Sequence, residues 1–164
     1  MYCLTMSTSK FLIKGNFIYM VTSVTSGRMT LFSKPSRALI IQSCIFNGMA
    51  LQHYWLLAFV VMPDHIHLVV KPRLKAIDSC VGSLKGASAR EVNRMERLIW
   101  NIWQPGYIAR PIESSTVLSR EIEYLENNPV RAGLADSPTE YGFSSAAIRY
   151  ALDLDMLDSS MFWE

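Results

Sequence analysis

Residues 60–71 read VVMPDHIHLVVK: two apolar runs meet at Pro63-Asp64, and the second opens with two histidines one residue apart. Proline followed by a small polar residue suits the centre of a tight turn, so the stretch predicts a hairpin. A strand turns alternate side chains to opposite faces, with residues i and i+2 roughly 6.5–7 Å apart on one face. His65 and His67 then project side by side while Ile66, Leu68 and Val70 face a core. Two imidazoles on one face of a strand can chelate a divalent metal. A hydrogen-bonded structural pair is the other reading, and the two histidines alone leave both open.

The 164 residues suit a single domain, 1–164, with a sizeable core. Half the chain is apolar and 18% is charged, which argues against disorder. A net charge of +2 neither demands nor excludes a nucleic-acid partner, because a local patch matters more than the total. Cys3, Cys44 and Cys80 are far apart and odd in number, so neither a disulfide framework nor a thiolate zinc site is indicated. Residues 1–14 read as a loose leader without a signal-peptide core, and residues 151–164 as an acidic tail. Apolar runs fall short of the ~20 residues a membrane helix needs, so a cytoplasmic location is the expectation.

Around the hairpin, residues 17–25 are β-branched and aromatic and predict a strand. A helix is expected from Pro35, with Ile41, Cys44, Ile45 and Met49 at helical spacing. The hairpin strands are residues 54–62 and 65–71, and a second helix runs over 76–94 with Ile77, Val81, Leu84 and Val92 as its apolar stripe. Two short strands, 98–103 and 107–112, flank the turn signal Gln104-Pro105-Gly106. A third helix is capped at Ser114, Ser115 or Thr116, buries Leu118, Ile122 and Leu125, and stops at Pro129; a short helix is expected beyond it. On its other side Tyr124 and Asn128 stand i and i+4, about 6 Å apart along the axis. The whole reads as an α+β domain, mainly antiparallel with helices packed on the sheet, in a ferredoxin-like arrangement.

The blocks YWLLAFVVMPDHIHLVVKP and, about fifty residues further on, EYLENNPVRAGLADSPTEYGFSSAAIRY resemble the single-tyrosine HUH transposases, most closely the REP-associated tyrosine branch. The resemblance runs over residues 17–150. It implies a ferredoxin-like sheet, a catalytic tyrosine on a late helix, a divalent metal (Mg or Mn), and single-stranded DNA with hairpin ends as substrate. Cleavage and rejoining would pass through a 5′-phosphotyrosine. In its terms His65 and His67 are metal ligands, Tyr124 is the nucleophile, and Asn128 is the third ligand. A homodimer is left open, as is whether the tyrosine serves its own subunit. The chain departs from the family pattern at Ala109, where an acidic residue is common.

The chemistry is coherent on the residues themselves. A phosphodiester repels nucleophiles, so a metal on its oxygens neutralises charge in the transition state. A neutral amide ligand preserves the metal's Lewis acidity. Tyrosine, with a pKa near ~10, needs help to attack, and its aryl phosphodiester keeps the energy needed for rejoining without ATP. Lys85, Arg90, Arg94 and Arg131 are the candidate phosphate contacts. Trp100, Trp103 and Tyr107 are candidates to stack on unpaired bases, although at least one tryptophan is expected in the core. His53 has no spaced partner and reads as structural or surface. The alternative function is a hairpin-DNA-binding protein of the same fold that no longer cuts; a histidine-pair hydrolase would instead need a third His, Asp or Glu ligand.

Overall fold

The computed structural model describes residues 17–152; the expected leader, and all of the tail but residues 151 and 152, lie outside them. Strand β1 (Ile18–Val24) leads into α1 (Pro35–Ala50), then the hairpin β2 (Tyr54–Met62) and β3 (His65–Pro72), then α2 (Ile77–Glu96), β4 (Ile108–Ile112) and α3 (Ser115–Glu126). One further helical turn, α4 (Asn128–Arg131), follows. The four strands form one antiparallel sheet in the order β2-β3-β1-β4. This is the expected ferredoxin-like α+β arrangement.

Alternation along the strands supplies two cores. Tyr19, Val21, Ile66, Leu68 and Val70 face α1 and α2, where they meet Ile41, Ile45, Val81 and Leu84. Ile18, Met20, Val60, Met62 and Val69 face the other way and meet Leu118 and Leu125 of α3. Covering both faces explains why β2 reads as a nearly unbroken apolar run rather than an alternating one. A register shift between Leu56 and Ala58 inserts one extra residue, and Leu57 and Ala58 both join the α3-side core. His65 and His67 stand on that second face, in step with Val69.

One expectation needs correction. Residues 98–103 form no strand: the Asn93 side chain donates to Trp100 O and accepts from Trp100 N, both at 3.0 Å, and so occupies the groups a ladder would need. Trp103 alone bridges Thr25; its indole N–H donates to Ser88 Oγ at 3.0 Å and its ring packs on Phe32, so this tryptophan is the core one. α3 ends at Glu126, just before Pro129 as expected, but the proline also opens a new turn. Asn127 keeps αR angles, Arg131 N donates to Asn127 O, and Pro129 sits in the first turn of α4, where a missing N–H costs nothing. The stop comes at Gly133 (φ 68°), with Gly133 N donating to Val130 O and Leu134 N to Pro129 O, the paired bonds of a Schellman end. Beyond it the chain forms short 3-10 turns, and residues 141–147 run along the outer edge of β2.

Gly48 of α1 is required by close packing. A Cβ there would lie 2.4 Å from the Tyr54 hydroxyl oxygen, while that hydroxyl is buried and donates to Ile45 O at 2.7 Å. Gly48→Ala should therefore destabilise the protein, the overpacking cost of ~1–3 kcal/mol outweighing the ~1 kcal/mol gain in helix propensity. Urea unfolding checks this; an unchanged or raised midpoint would contradict it.

Candidate active site

β3 is paired on both edges. Thr22 of β1 and Val60 of β2 stand opposite His67, and Val24 and Met62 stand opposite His65. The two rings lie 4.7 Å apart between centroids. Each ring has its Nδ1 engaged. His65 Nδ1 donates to Asp64 Oδ1 at 2.5 Å, and His67 Nδ1 lies 2.8 Å from Thr22 Oγ1. A carboxylate can only accept, so His65 Nδ1 carries a proton, and Nε2 is the nitrogen left to face a metal. Such outer partners fix ring orientation and tautomer where imidazoles serve as ligands.

Asp64 is itself anchored. Its carbonyl accepts from Thr25 N and Thr25 Oγ1, both at 2.9 Å, and its carboxylate pairs with Arg28 at 3.3 Å. Burial pushes the Asp64 carboxyl up, but the bonds and charges of His65 and Arg28 outweigh it and hold the group below its usual range. Burial drives His67 the other way, with the charges of His65 and Arg110 adding to it, and brings its pKa down to about 4. His67 is thus neutral at neutral pH, the form that ligates metal.

The third component arrives on α3. Ser114 caps the helix, its hydroxyl accepting from Val117 N at 3.3 Å. Twelve residues make a marginal helix in isolation, so docking must hold it. Leu118 and Leu125 are buried against the sheet, worth roughly 1.5–3 kcal/mol each, while Ile122 is only half-buried. Tyr124 is left 44% exposed, with its ring edge-on to His67 of the same chain at 6.5 Å. The Arg131 guanidinium lies over the Tyr124 ring, 4.7 Å from its centroid. One turn past Tyr124, Asn128 has a buried amide nitrogen with no hydrogen-bond partner.

An open cavity of about 910 Å³, at the upper end of ordinary ligand clefts, lies beside His67 and Tyr124 but is not lined by His65. It is lined by His67, Tyr124 and Arg131 together with Arg110 and Arg120, and by the carboxylates of Glu121 and Glu123. Arg110 pairs with Glu121 at 3.3 Å. Three guanidiniums around a tyrosine have the chemistry to hold a phosphate. Asn127, rather than Asn128, is the asparagine on the cavity wall.

Of the candidate phosphate contacts, the structure brings only Arg131 to this cavity. Lys85, Arg90 and Arg94 belong to α2, which packs on the opposite face of the sheet. Lys85 donates to Gln104 O and Gly106 O and so ties down the turn before β4; Arg94 pairs with Glu91 at 2.7 Å; Arg90 is exposed. Tyr107 donates its hydroxyl to Asp78, and the exposed Trp100 ring lies under Arg37. Arg110 and Arg120 were not singled out by sequence, nor were Thr22 and Asp64 as partners of the histidines. β-alternation from Ile112 could have found Arg110, since it shares the face of Met20. Ala109 stands opposite Val21 on the α1–α2 side, so its lack of a carboxyl removes nothing from the histidine face.

A doubly paired strand thus carries two histidines, one of which meets a helix-borne tyrosine in a cleft lined by three arginines. The sequence profile of the IS200-like transposases matches residues 14–128, and the chain belongs to that family. Among solved structures it is similar to a REP-associated tyrosine transposase bound to a REP hairpin, with a TM-score of 0.72 and 19% identity over 89% of this chain and 86% of that one. It is more loosely similar to a protein assigned as a transposase from Deinococcus radiodurans R1, with a TM-score of 0.48 and 23% identity over 74% of this chain and 97% of that one. No curated protein matches the sequence.

The depressed His67 pKa predicts acid sensitivity. Between its ordinary value of 6.5 and about 4, the unfolded chain takes up a proton that the folded chain refuses. Stability contributed by neutral His67 is therefore whole above pH ~6.5 and lost as pH falls toward ~4. In chelator-treated protein the urea midpoint should drop from pH 7 to pH 4.5, and His67→Asn should flatten that drop. Parallel curves for the two proteins would contradict the assignment.

Proposed function

We propose that this protein is a metal-dependent DNA strand transferase that cleaves and rejoins single-stranded, hairpin-ended DNA through a 5′-phosphotyrosine at Tyr124. The observation that carries the reading is the placement of Tyr124 beside His67 and beneath Arg131 in one cationic cleft. Membership of a transposase family implies strand-transfer chemistry at the general level. A hairpin occupies the REP-associated transposase with the similar fold, and we extend that substrate class to this chain.

A divalent ion, Mg or Mn, fits the residues present. Both Nδ1 atoms are engaged, which leaves the Nε2 atoms of His65 and His67 as donors. Asn128 contributes a buried amide lacking a partner, and a half-turn of that amide would offer its oxygen as the third donor. Among the described residues no three His, Cys, Asp or Glu side chains gather into a metal centre, which speaks against a histidine–carboxylate hydrolase. When bound, the ion supplies Lewis-acid stabilisation to a phosphate oxygen.

The chain's own residues divide the remaining work. Arg110, Arg120 and Arg131 neutralise and orient the scissile phosphate. Tyr124 Oη loses its proton to solvent and forms a bond to phosphorus; the bond from phosphorus to the 3′-oxygen breaks, and that oxygen leaves as a 3′-hydroxyl once protonated. Arg131 stacks its guanidinium over the Tyr124 ring and so holds that ring beside the phosphate in both directions of the reaction. Rejoining reverses the same bonds with an incoming 3′-hydroxyl.

Single-stranded hairpin oligonucleotides with Mg or Mn test this on a denaturing gel. Wild type should form a covalent adduct; Tyr124→Phe should form none while binding DNA within about twofold of wild type. Asn128→Ala should weaken Mn binding, read by calorimetry without DNA, about 10–100-fold, and should slow cleavage as well. An adduct on Tyr124→Phe would sink the nucleophile, and a wild type that binds hairpins but forms no adduct would favour a binding protein of the same fold. Because Tyr124 lies against His67 of its own chain, mixing Tyr124→Phe with His67→Ala protein should restore no activity; restored activity would mean that the tyrosine helix serves a second copy.

A further inference from the structure

Glu126 is the one buried acid among the described residues, 6% exposed, next to the buried Leu125 and past the exposed Glu123 and Tyr124. Both carboxylate oxygens are used: Oε1 accepts from Ser145 Oγ at 2.9 Å, and Oε2 accepts from the Arg149 guanidinium. The partners lie 19 and 23 residues further along the chain, on the segment that runs beside β2. That segment is itself fixed. Val61 N donates to Phe143 O at 2.9 Å, the Tyr141 hydroxyl donates to Val61 O at 2.8 Å, and Ser144 bridges Val60. Val60 and Val61 are the β2 residues opposite His67 and Ile66.

We infer that residues 141–149 form a strap that sets the position of the nucleophile helix, with Glu126 as the positioning residue. The proposal rests on the reading of Tyr124 as nucleophile. Its physical basis is a division between two kinds of contact. Leu118 and Leu125 hold α3 to the sheet through apolar burial, which has no direction and permits sliding and rotation about the helix axis. An apolar residue at 126 would dock the helix as well, since a buried charge must first overcome its own desolvation. What Glu126 adds is direction: its two bonded oxygens define where along β2 the last turn of α3 sits. Tyr124 lies two residues before it. The path from His67 through Val60, the strap, Glu126 and back to Tyr124 is a closed ring of specific bonds, completed by the contact of the two aromatic rings.

The experiment uses the full chain as wild type, Glu126→Gln, Arg149→Ala and Arg149→Lys, each read for adduct formation in a single turnover, hairpin affinity and amide hydrogen exchange. Glu126→Gln should slow adduct formation at least tenfold with hairpin Kd within twofold. It should raise exchange at least tenfold across residues 115–128 while amides of 66–70 keep wild-type protection. Arg149→Lys should recover part of the rate that Arg149→Ala loses. Wild-type adduct rates in Glu126→Gln, or unchanged exchange in 115–128, would overturn the strap. Exchange rising equally in β3 would also overturn it, because Glu126 would then support the fold at large. If wild type forms no adduct, the strand-transfer reading fails on its own, and the exchange measurement still decides whether the strap holds the helix.

Discussion

The pairing of β3 on both edges is the constraint from which the site follows. A strand with one free edge can bend, and its side chains can shift with it; β3 has β1 on one side and β2 on the other over the length that carries the histidines. Below them Ile66, Leu68 and Val70 are sealed in the α1–α2 core. Slipping the register by one residue would take Ile66, Leu68 and Val70 out of the α1–α2 core and put the two imidazoles in their place, so the arrangement has no near alternative. The same pairing supplies the outer partners. Thr22 meets His67 because the register sets them opposite, and Asp64 meets His65 because the turn that links the strands ends there.

Electrostatics then separates the two faces of the cleft. Burial together with the charges of His65 and Arg110 keeps His67 neutral, so its nitrogen stays a donor of electrons rather than a cation competing with the arginines. The arginines line the cavity from β4, α3 and α4, with Glu121 neutralising Arg110 and none of them drawn into the core. A phosphate entering there meets guanidiniums from three separate elements. A net charge of only +2 therefore hides a local grouping of arginines: Glu121 offsets Arg110 within the cavity, while Glu91 and Glu96 pair with cations of α2 and of the start of α1 on the other side of the sheet.

What the sequence made legible was whatever depends on periodicity and on local turn chemistry. The hairpin, α1, α2 and the docking face of α3 fall where apolar spacing puts them, and the fold class follows from their order. Segments governed by a single distant side chain were not legible. Residues 98–103 look like a strand by composition, yet an amide from α2 claims the backbone of Trp100. Pro129 marks the end of α3, as the sequence suggests, but the rule for proline inside a helix does not say when the proline also opens a new turn. The cations show the same limit. Lys85, Arg90 and Arg94 are basic residues on a helix, and only the three-dimensional layering places that helix behind the sheet while bringing Arg110 and Arg120 to the front. Tyr124 and Asn128 were legible only through the family resemblance; spacing alone gives them a shared side of a helix and no chemistry.

The two halves of the site differ in stiffness, and the proposed reaction needs that difference. Groups that hold an ion must keep fixed separations, and a doubly paired strand provides them. A nucleophile that is esterified, carries a DNA end and then releases it must tolerate changes at its own ring. Tyr124 is accordingly half-exposed, on a short helix with a narrow apolar stripe. Such a helix, left to its leucines, would spread over a range of positions, and a displacement of about 1 Å can cost on the order of 10²-fold in rate. Directional bonds at one end of the helix narrow that range without burying the tyrosine. Glu126 supplies them two residues from Tyr124, on the face turned away from solvent. Position is thereby fixed at the helix end while the phenol itself stays free to react.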